Sequence, residues 1–369
     1  MKVHKINVIN RETDYPIFIG NGILGLLKKQ IKIKCPKTKK IALILDKNVP
    51  RKHKDKIKKA LSNYNVYLKE YLPKENLKSF KEAGYLVEKL LEKKFNRGDT
   101  IIAIGGGIIG DFVGFVSSIL KRGINFINVP TTLLSQVDSS IGGKTGVNSK
   151  EGKNLIGSFY QPKLVISDMS FLKSLPKREM VCGFAEILKY SLIRDKQFFY
   201  FLKKNSKKIL EERNVMFLKK SIIRSCRNKV FFVTKDEKES GTRMLLNFGH
   251  TFAHGIEAAN KFSRKINHGE AVLIGMILAT RLSVRKKLCA NNTLNQIQEI
   301  YKINNFPSSL NRYFLKKDFN KIVDYMSNDK KNDDDKINLI LIKKIGKTTM
   351  PGSIKMSAQQ LKSVIKKIN

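Results

Sequence analysis

Apolar and polar positions alternate over Val3 to Ile9, which predicts a short strand, and Tyr15 to Ile19 reads as a second beyond a turn-like Asn10 to Asp14. Gly20 to Leu27 then opens a helix. Further on come short apolar runs over Lys40 to Asp46, Asp99 to Ile104, Phe126 to Val129 and Lys163 to Ser167, with another strand, mixed in polarity, over Val66 to Leu72. Helical periodicity separates several of them, up to about Leu61 and again over Ser79 to Lys94. Short buried strands alternating with helices predict an open, largely parallel sheet. Pro176 punctuates the chain, and from Arg178 the pattern turns helical. Helices are expected over Asp195 to Leu210, Val215 to Val233, Gly249 to Ala259, Glu270 to Leu288 and Thr293 to Ile303. A strand-like Ile337 to Ile342 and a short amphipathic tail helix close the chain. The expected organisation is an α/β domain over residues 1–177 and a mainly α-helical domain over 178–369.

The chain has 369 residues, enough for two cores, and 41% hydrophobic content. It carries no apolar run long enough to span a membrane, and the first residues show no signal core, so no membrane association and a cytoplasmic location are expected. Cys35, Cys182, Cys226 and Cys289 are far apart, which suits free thiols better than a disulfide frame. Seventy-two Lys and Arg against 31 acidic residues give a formal charge of +41. That balance would fit a polyanion partner, but the basic residues are spread throughout and form no stripe with interleaved aromatics. Compositional drift is the plainer account, steering of a small anionic substrate a third, and no nucleic-acid partner is expected.

The strand ending at Ile104 runs directly into Gly105-Gly106-Gly107-Ile108-Ile109-Gly110-Asp111. A glycine-rich turn before a helix can bring backbone N–H groups to a phosphate. Taken alone a glycine-rich turn is a weak signal, so a purely structural turn remains open. Next come Pro130-Thr131-Thr132-Leu133-Leu134, Gln136 to Ser140 and Gly142-Gly143-Lys144-Thr145. The last lacks the earlier glycine of a Walker loop, which excludes that NTPase reading.

Three of five histidines fall between Met244 and Val272. His250 and His254 are four apart and share a helical face, and His268 opens His-Gly-Glu-Ala-Val. Imidazole is a common zinc ligand, and a catalytic site needs about three protein ligands. Glu186 lies in an otherwise apolar helical run, three residues before Lys189. The two could form an exposed ion pair, or the glutamate could be a metal ligand beside a charge.

Several segments together, GGGIIGDFVGFVSS, RGINFINVPTTLLSQVDSSIGGKTGVN, GKNLIGSFYQPKLVISD, GFAEILKY, LNFGHTFAHGIE and HGEAV, resemble the 3-dehydroquinate synthase family of sugar-phosphate cyclases. The resemblance runs from about Asp46 to about Ile345. It implies a Rossmann-like nucleotide-binding α/β domain, then a helical domain, with the site in the cleft. It implies one divalent metal, zinc or cobalt, on Glu186, His250 and His268, with His254 beside the metal rather than on it. It also implies bound NAD. Asp46 and Asn48 would meet its adenosine end, with Glu75 and Lys78 nearby. Gly106, Gly107, Ile108 and Asp111 would hold the pyrophosphate; Thr131, Thr132 and Leu134 would line the cofactor. The stretch Phe171, Leu172, Lys173 and Ser174 would close over it. Asp138, Lys144, Lys153 and Asn154 would sit between cofactor and substrate. Arg122, Lys189, Lys229, Arg243, Asn247 and His254 would hold substrate, with Glu239 nearby, and Lys330 or Lys331 is a further candidate to reach it.

The implied reaction converts 3-deoxy-D-arabino-heptulosonate 7-phosphate to 3-dehydroquinate and phosphate. It proceeds through transient oxidation, phosphate loss, reduction and intramolecular aldol closure. The partner expected is this small sugar phosphate. A homodimer is a further expectation. Alternatives are a cyclase such as a 2-deoxy-scyllo-inosose synthase, a polyol dehydrogenase that would release NADH, and a basic nucleic-acid-binding protein.

Overall fold

The computed structural model describes residues 3–9, 14–261, 263, 265–327 and 336–369. The turn expected over residues 10–13 and the candidates Lys330 and Lys331 lie outside the described residues. By its contacts the chain forms two compact units, residues 1–180 with 229–238 and residues 181–228 with 239–369.

The first unit is built on a seven-stranded sheet. Its strands are β1 (His4–Ile9), β2 (Asp14–Gly20), β3 (Lys40–Asp46), β4 (Asn65–Tyr71), β5 (Thr100–Gly105), β6 (Asn125–Pro130) and β9 (Leu164–Asp168). The order is β1-β2-β9-β6-β5-β3-β4, with every pairing parallel except β1 with β2. Helices α1 (Leu26–Lys34), α2 (Arg51–Ala60), α3 (Phe80–Glu92) and α4 (Gly107–Ile119) supply the covering layers. The continuous apolar runs are explained by burial on both faces. In β3, Leu43 and Leu45 join a core with Leu27, Ile31 and Ile57 of α1 and α2. Ala42 and Ile44 of the same strand join the opposite core with Leu86, Leu90, Phe112 and Val116 of α3 and α4. The period of two along the strand thus serves two cores at once.

Two elements depart from expectation. The helix placed at Gly20 to Leu27 begins only at Leu26. Before it, the buried carboxylate of Asp168 accepts N–H bonds from Gly22 (2.7 Å), Ile23 (2.6 Å) and Leu24 (3.1 Å), which hold that segment as a turn. The polar stretch after Gly143 is also a hairpin, β7 (Lys144–Ser149) with β8 (Gly152–Phe159), outside the main sheet. Of its side chains only Val147 is a buried hydrophobe, so the hairpin lacks the apolar pattern that marks a strand.

The second unit is mainly helical. It holds α5 from Val181 onward (whole helix Lys177–Arg194), α6 (Lys196–Leu210), α7 (Val215–Lys235) as far as Asn228, α8 (His250–Ala259), α9 (His268–Arg285), α10 (Asn291–Asn304), α11 (Phe319–Ser327) and α12 (Ala358–Ile368). Strands β10 (Lys336–Asn338) and β13 (Lys355–Ser357) pair, as do β11 (Ile342–Lys344) and β12 (Lys347–Thr348). The run expected as one strand over Ile337 to Ile342 is therefore split, its two ends pairing with different partners. Among the described residues no helix is long and apolar enough to cross a membrane.

Asp168→Ala would leave several backbone donors unpaired at a buried position. It should lower unfolding stability by about 3 kcal/mol, checked by urea denaturation. An unchanged midpoint would show that the turn does not depend on this carboxylate.

Candidate functional site

In the second unit three helices bring metal-capable side chains together. Glu186 lies on α5 and is fully buried; His250 and His268 are the first residues of α8 and α9. Glu186 Oε1 is 3.2 Å from His250 Nε2 and 3.6 Å from His268 Nε2. One ligand atom from each of the three lies within 4.8 Å of the others.

Local sequence explains the placement. Gly249 precedes His250 with φ +79°, and a Cβ there would come within 2.6 Å of Met276 Cγ on α9. Glycine therefore allows both the left-handed entry to α8 and its close approach to α9. At α9, Asn267 is the N-cap. Its side chain accepts from Glu270 N–H at 2.9 Å, and Glu270 Oε2 accepts from Asn267 N–H at 2.8 Å. This capping box fixes His268 at the first helical position. It also extends α9 two residues before the expected start at Glu270 and gives Glu270 a structural task.

The exposed ion-pair reading of Glu186 and Lys189 is overturned, because both are buried and in contact. Burial opposes ionisation of Glu186. Lys189 foremost, then His250, outweighs it and holds the carboxyl well below the ordinary carboxylate range. Burial and the Lys189 ammonium pull His250 down to about 4, leaving a neutral imidazole. Burial also works against charge on His268, but Glu257 and Glu186 push it up to about 10. The fit to a cation has a direct sign. Lys189, His250 and His268 crowd Glu186, yet neither carboxylate oxygen has a well-aligned hydrogen bond among the described residues. Two imidazoles and one carboxylate suit zinc or cobalt and disfavour magnesium. His254 stands edge-on to His250, ring centroids 5.8 Å apart. In the same unit Arg243 is buried, and Asn247 Nδ2 donates to Glu239 Oε1 at 3.3 Å.

The first unit gathers a second set. The glycine turn lies between β5 and α4, with Gly106 as N-cap. A Cβ on Gly105 would come 2.6 Å from Ile109 Cβ, so this glycine has a packing role. A Cβ on Gly106 or Gly107 would crowd Thr132 or Ser139, each at 3.1 Å. These two glycines leave the cradle that a pyrophosphate at the start of α4 requires. Lys78 Nζ meets Asp111 Oδ2 at 2.7 Å and contacts Asn154 Oδ1. Glu75 accepts from Asn148 Nδ2 at 2.9 Å and pairs with Lys153 Nζ at 3.2 Å. Asn154 takes φ +56°, which asparagine tolerates better than most residues. A π-helical turn over Ser135–Ser139 presents Asp138 to Lys229 Nζ at 2.6 Å. Such turns recur at functional sites.

Asp46 ends β3 buried and accepts Asn48 N–H at 2.8 Å. Thr131 and Leu134 follow β6, Thr131 buried and Leu134 half-buried, and Ile108 opens α4 half-buried. Phe171 and Leu172 are packed in the core, Phe171 against His53 at 4.4 Å, while Lys173 and Ser174 are exposed. Lys144 is exposed at the start of β7. Arg122 is exposed beyond the C-terminal end of α4, about 20 Å of helix from the glycine turn. It joins neither set. Two polar residues escaped the sequence reading. Asn148 links Glu75 to Asn154, whose N–H donates to Asn148 Oδ1 at 3.0 Å, but it lies on the unrecognised hairpin. Glu257 accepts from His268 Nδ1 at 3.2 Å; its spacing of seven from His250 on one helix was a usable signal.

The 3-dehydroquinate synthase N-terminal family profile matches residues 70–182, and the 3-dehydroquinate synthase C-terminal profile matches residues 183–332. A 3-dehydroquinate synthase of Pelagibacter ubique (strain HTCC1062) is 48% identical over 346 residues, 94% of each chain. The chain belongs to the 3-dehydroquinate synthase family. A second family relative, from Caulobacter vibrioides (strain NA1000 / CB15N), is 43% identical over 301 residues, 81% of each chain. A solved 2-deoxy-scyllo-inosose synthase, complexed with carbaglucose-6-phosphate, NAD+ and Co2+, has a TM-score of 0.86 at 25% identity. The comparison covers 99% of this chain and 100% of that one. The two family profiles meet between Cys182 and Gly183, four residues before Glu186, so the donor triad falls inside the C-terminal match.

Glu186→Gln removes the anionic oxygen that the cluster surrounds. It should abolish stoichiometric binding of zinc or cobalt, read as metal content after dialysis. Full metal occupancy in that variant would remove Glu186 from the ligand set.

Proposed function

We propose that this chain is a 3-dehydroquinate synthase. It would convert 3-deoxy-D-arabino-heptulosonate 7-phosphate to 3-dehydroquinate and phosphate, a carbon–oxygen lyase reaction and the second step of the shikimate pathway. The observation that carries the reading is 48% identity across 94% of a curated 3-dehydroquinate synthase. The cluster of buried Glu186 with half-buried His250 and His268 supports it independently. The inosose synthase alternative rests on 25% identity, well below that of the family relatives. Four free cysteines, three of them buried, fit the cytoplasmic location we assign.

In this reading Glu186, His250 and His268 hold the divalent ion, while Gly106, Gly107, Ile108 and Asp111 take the pyrophosphate of NAD. When bound, the ion eases deprotonation of a substrate hydroxyl, and the dinucleotide accepts and later returns a hydride, so the net reaction is not a redox change. The protein's own groups handle the charges around those events. Lys144 and Lys153 offer ammonium groups to the substrate phosphate, with Lys153 steered by Glu75. Lys229, aimed by Asp138, together with Arg243 and Asn247, suits a carboxylate-bearing substrate. His254 stands beside His250, and Lys189 adds positive charge where a hydroxyl oxygen becomes anionic. Arg122 is left out of phosphate handling within this chain, given its distance along α4. Holding an open-chain intermediate in closing geometry can contribute roughly 7–11 kcal/mol to an intramolecular ring closure.

Purified protein given the heptulosonate 7-phosphate should release phosphate without accumulating NADH, and a chelator should stop the release. Net NADH from a polyol would favour a dehydrogenase instead, and no phosphate with metal and NAD supplied would point to another sugar phosphate. Lys153→Ala should raise the KM for the substrate about tenfold or more, the equivalent of one lost charge-assisted contact. Steady-state kinetics indistinguishable from the parent would take Lys153 out of phosphate handling.

A further inference from the structure

The two imidazoles of the triad are backed differently. His250 Nδ1 lies 3.4 Å from the neutral carbonyl oxygen of Phe248. His268 Nδ1 lies 3.2 Å from the Glu257 carboxylate, and its Nε2 faces Glu186. Glu257 sits on α8, seven residues after His250, so one helix supplies both a donor and the support for a donor on α9. Its side chain is 15% exposed, which keeps the bond from being lost to solvent. Glu257 meets the ring nitrogen opposite the one that faces Glu186, so it stands behind the imidazole and not among the donors.

We propose that Glu257 is a positioning residue for the metal centre. It fixes the ring's orientation and keeps a proton on His268 Nδ1, so that Nε2 is the nitrogen turned toward Glu186 and the one that gives up its proton when a metal binds. A carboxylate behind a metal-binding histidine also makes the imidazole a stronger donor. Without it, the ring of His268 at the first turn of α9 could turn over and present the wrong nitrogen. The inference rests on the metal assignment made for Glu186, His250 and His268.

The test titrates metal-free protein with Co2+ in competition with a chelator and records the cobalt absorption spectrum. The parent, Glu257→Ala, Glu257→Gln and Glu186→Gln are compared. The parent should bind one ion. Glu257→Ala should bind it roughly 10- to 100-fold more weakly. Glu257→Gln keeps an oxygen acceptor for Nδ1–H and should recover most of that loss, with a cobalt spectrum shifted from the parent's. Thermal unfolding of the metal-free proteins should differ little, which separates positioning from a folding defect. Should the alanine variant fail to fold, the glutamine variant's spectrum decides alone, and one identical to the parent's overturns the proposal. Glu257→Ala with the parent's affinity and spectrum overturns it too, while the metal assignment stands. A parent that binds no Co2+, or a Glu186→Gln variant that binds it as tightly, overturns the metal assignment and this proposal with it.

Discussion

A carboxylate sealed from water needs hydrogen-bond donors or positive charge around it, and Glu186 is a sealed carboxylate answered by positive charge. Much of the second unit is arranged around that requirement. α5 places Lys189 one turn from it, and α8 and α9 each begin with a histidine directed at it. A lysine alone would satisfy the charge, but two imidazoles beside the same oxygen have no such need to be there. His250 is held neutral first by its burial and then by the Lys189 ammonium beside it. Burying this group thereby gathers three side chains of a kind that could hold a metal ion.

The first unit answers a different constraint. A parallel sheet covered on both faces leaves its polar business at the ends of strands, where side chains are no longer needed for either core. Asp46, the glycine turn and the threonines after Pro130 all lie at the C-terminal ends of buried strands β3, β5 and β6. Around them charged groups are paired, Lys78 with Asp111, Glu75 with Lys153 and Asp138 with Lys229. Paired in this way, they hold their geometry without a substrate, so less ordering remains when an anion arrives.

What could be read in the sequence followed from how strongly each element declares itself. The strands β3 and β5 were legible because they are uniformly apolar and bounded by turn residues. The triad was legible because histidines are scarce in this chain and the surrounding motifs resemble a known family. The hairpin β7–β8 was not, since its strands are held by backbone pairing and close glycine contacts more than by buried side chains. Losing the hairpin hid Asn148. The late start of α1 was invisible for another reason: Asp168, which holds the preceding turn, lies 145 residues from Ile23. Glu186 and Lys189 were ambiguous because spacing of three says that two charges share a face, not whether that face sees water.

The pairing of Asp138 with Lys229 bears on the order in which the protein can be made. Lys229–Lys238 belongs to the first unit although nearly fifty residues of the second unit, 181–228, are synthesised before it. A ribosome that has produced residues 1–180 has therefore not yet supplied everything the first unit uses. A fragment cut at Met180 would carry Asp138 without its lysine. The first unit is thus no detachable module, and its completion waits on a stretch of chain that the helical part delivers.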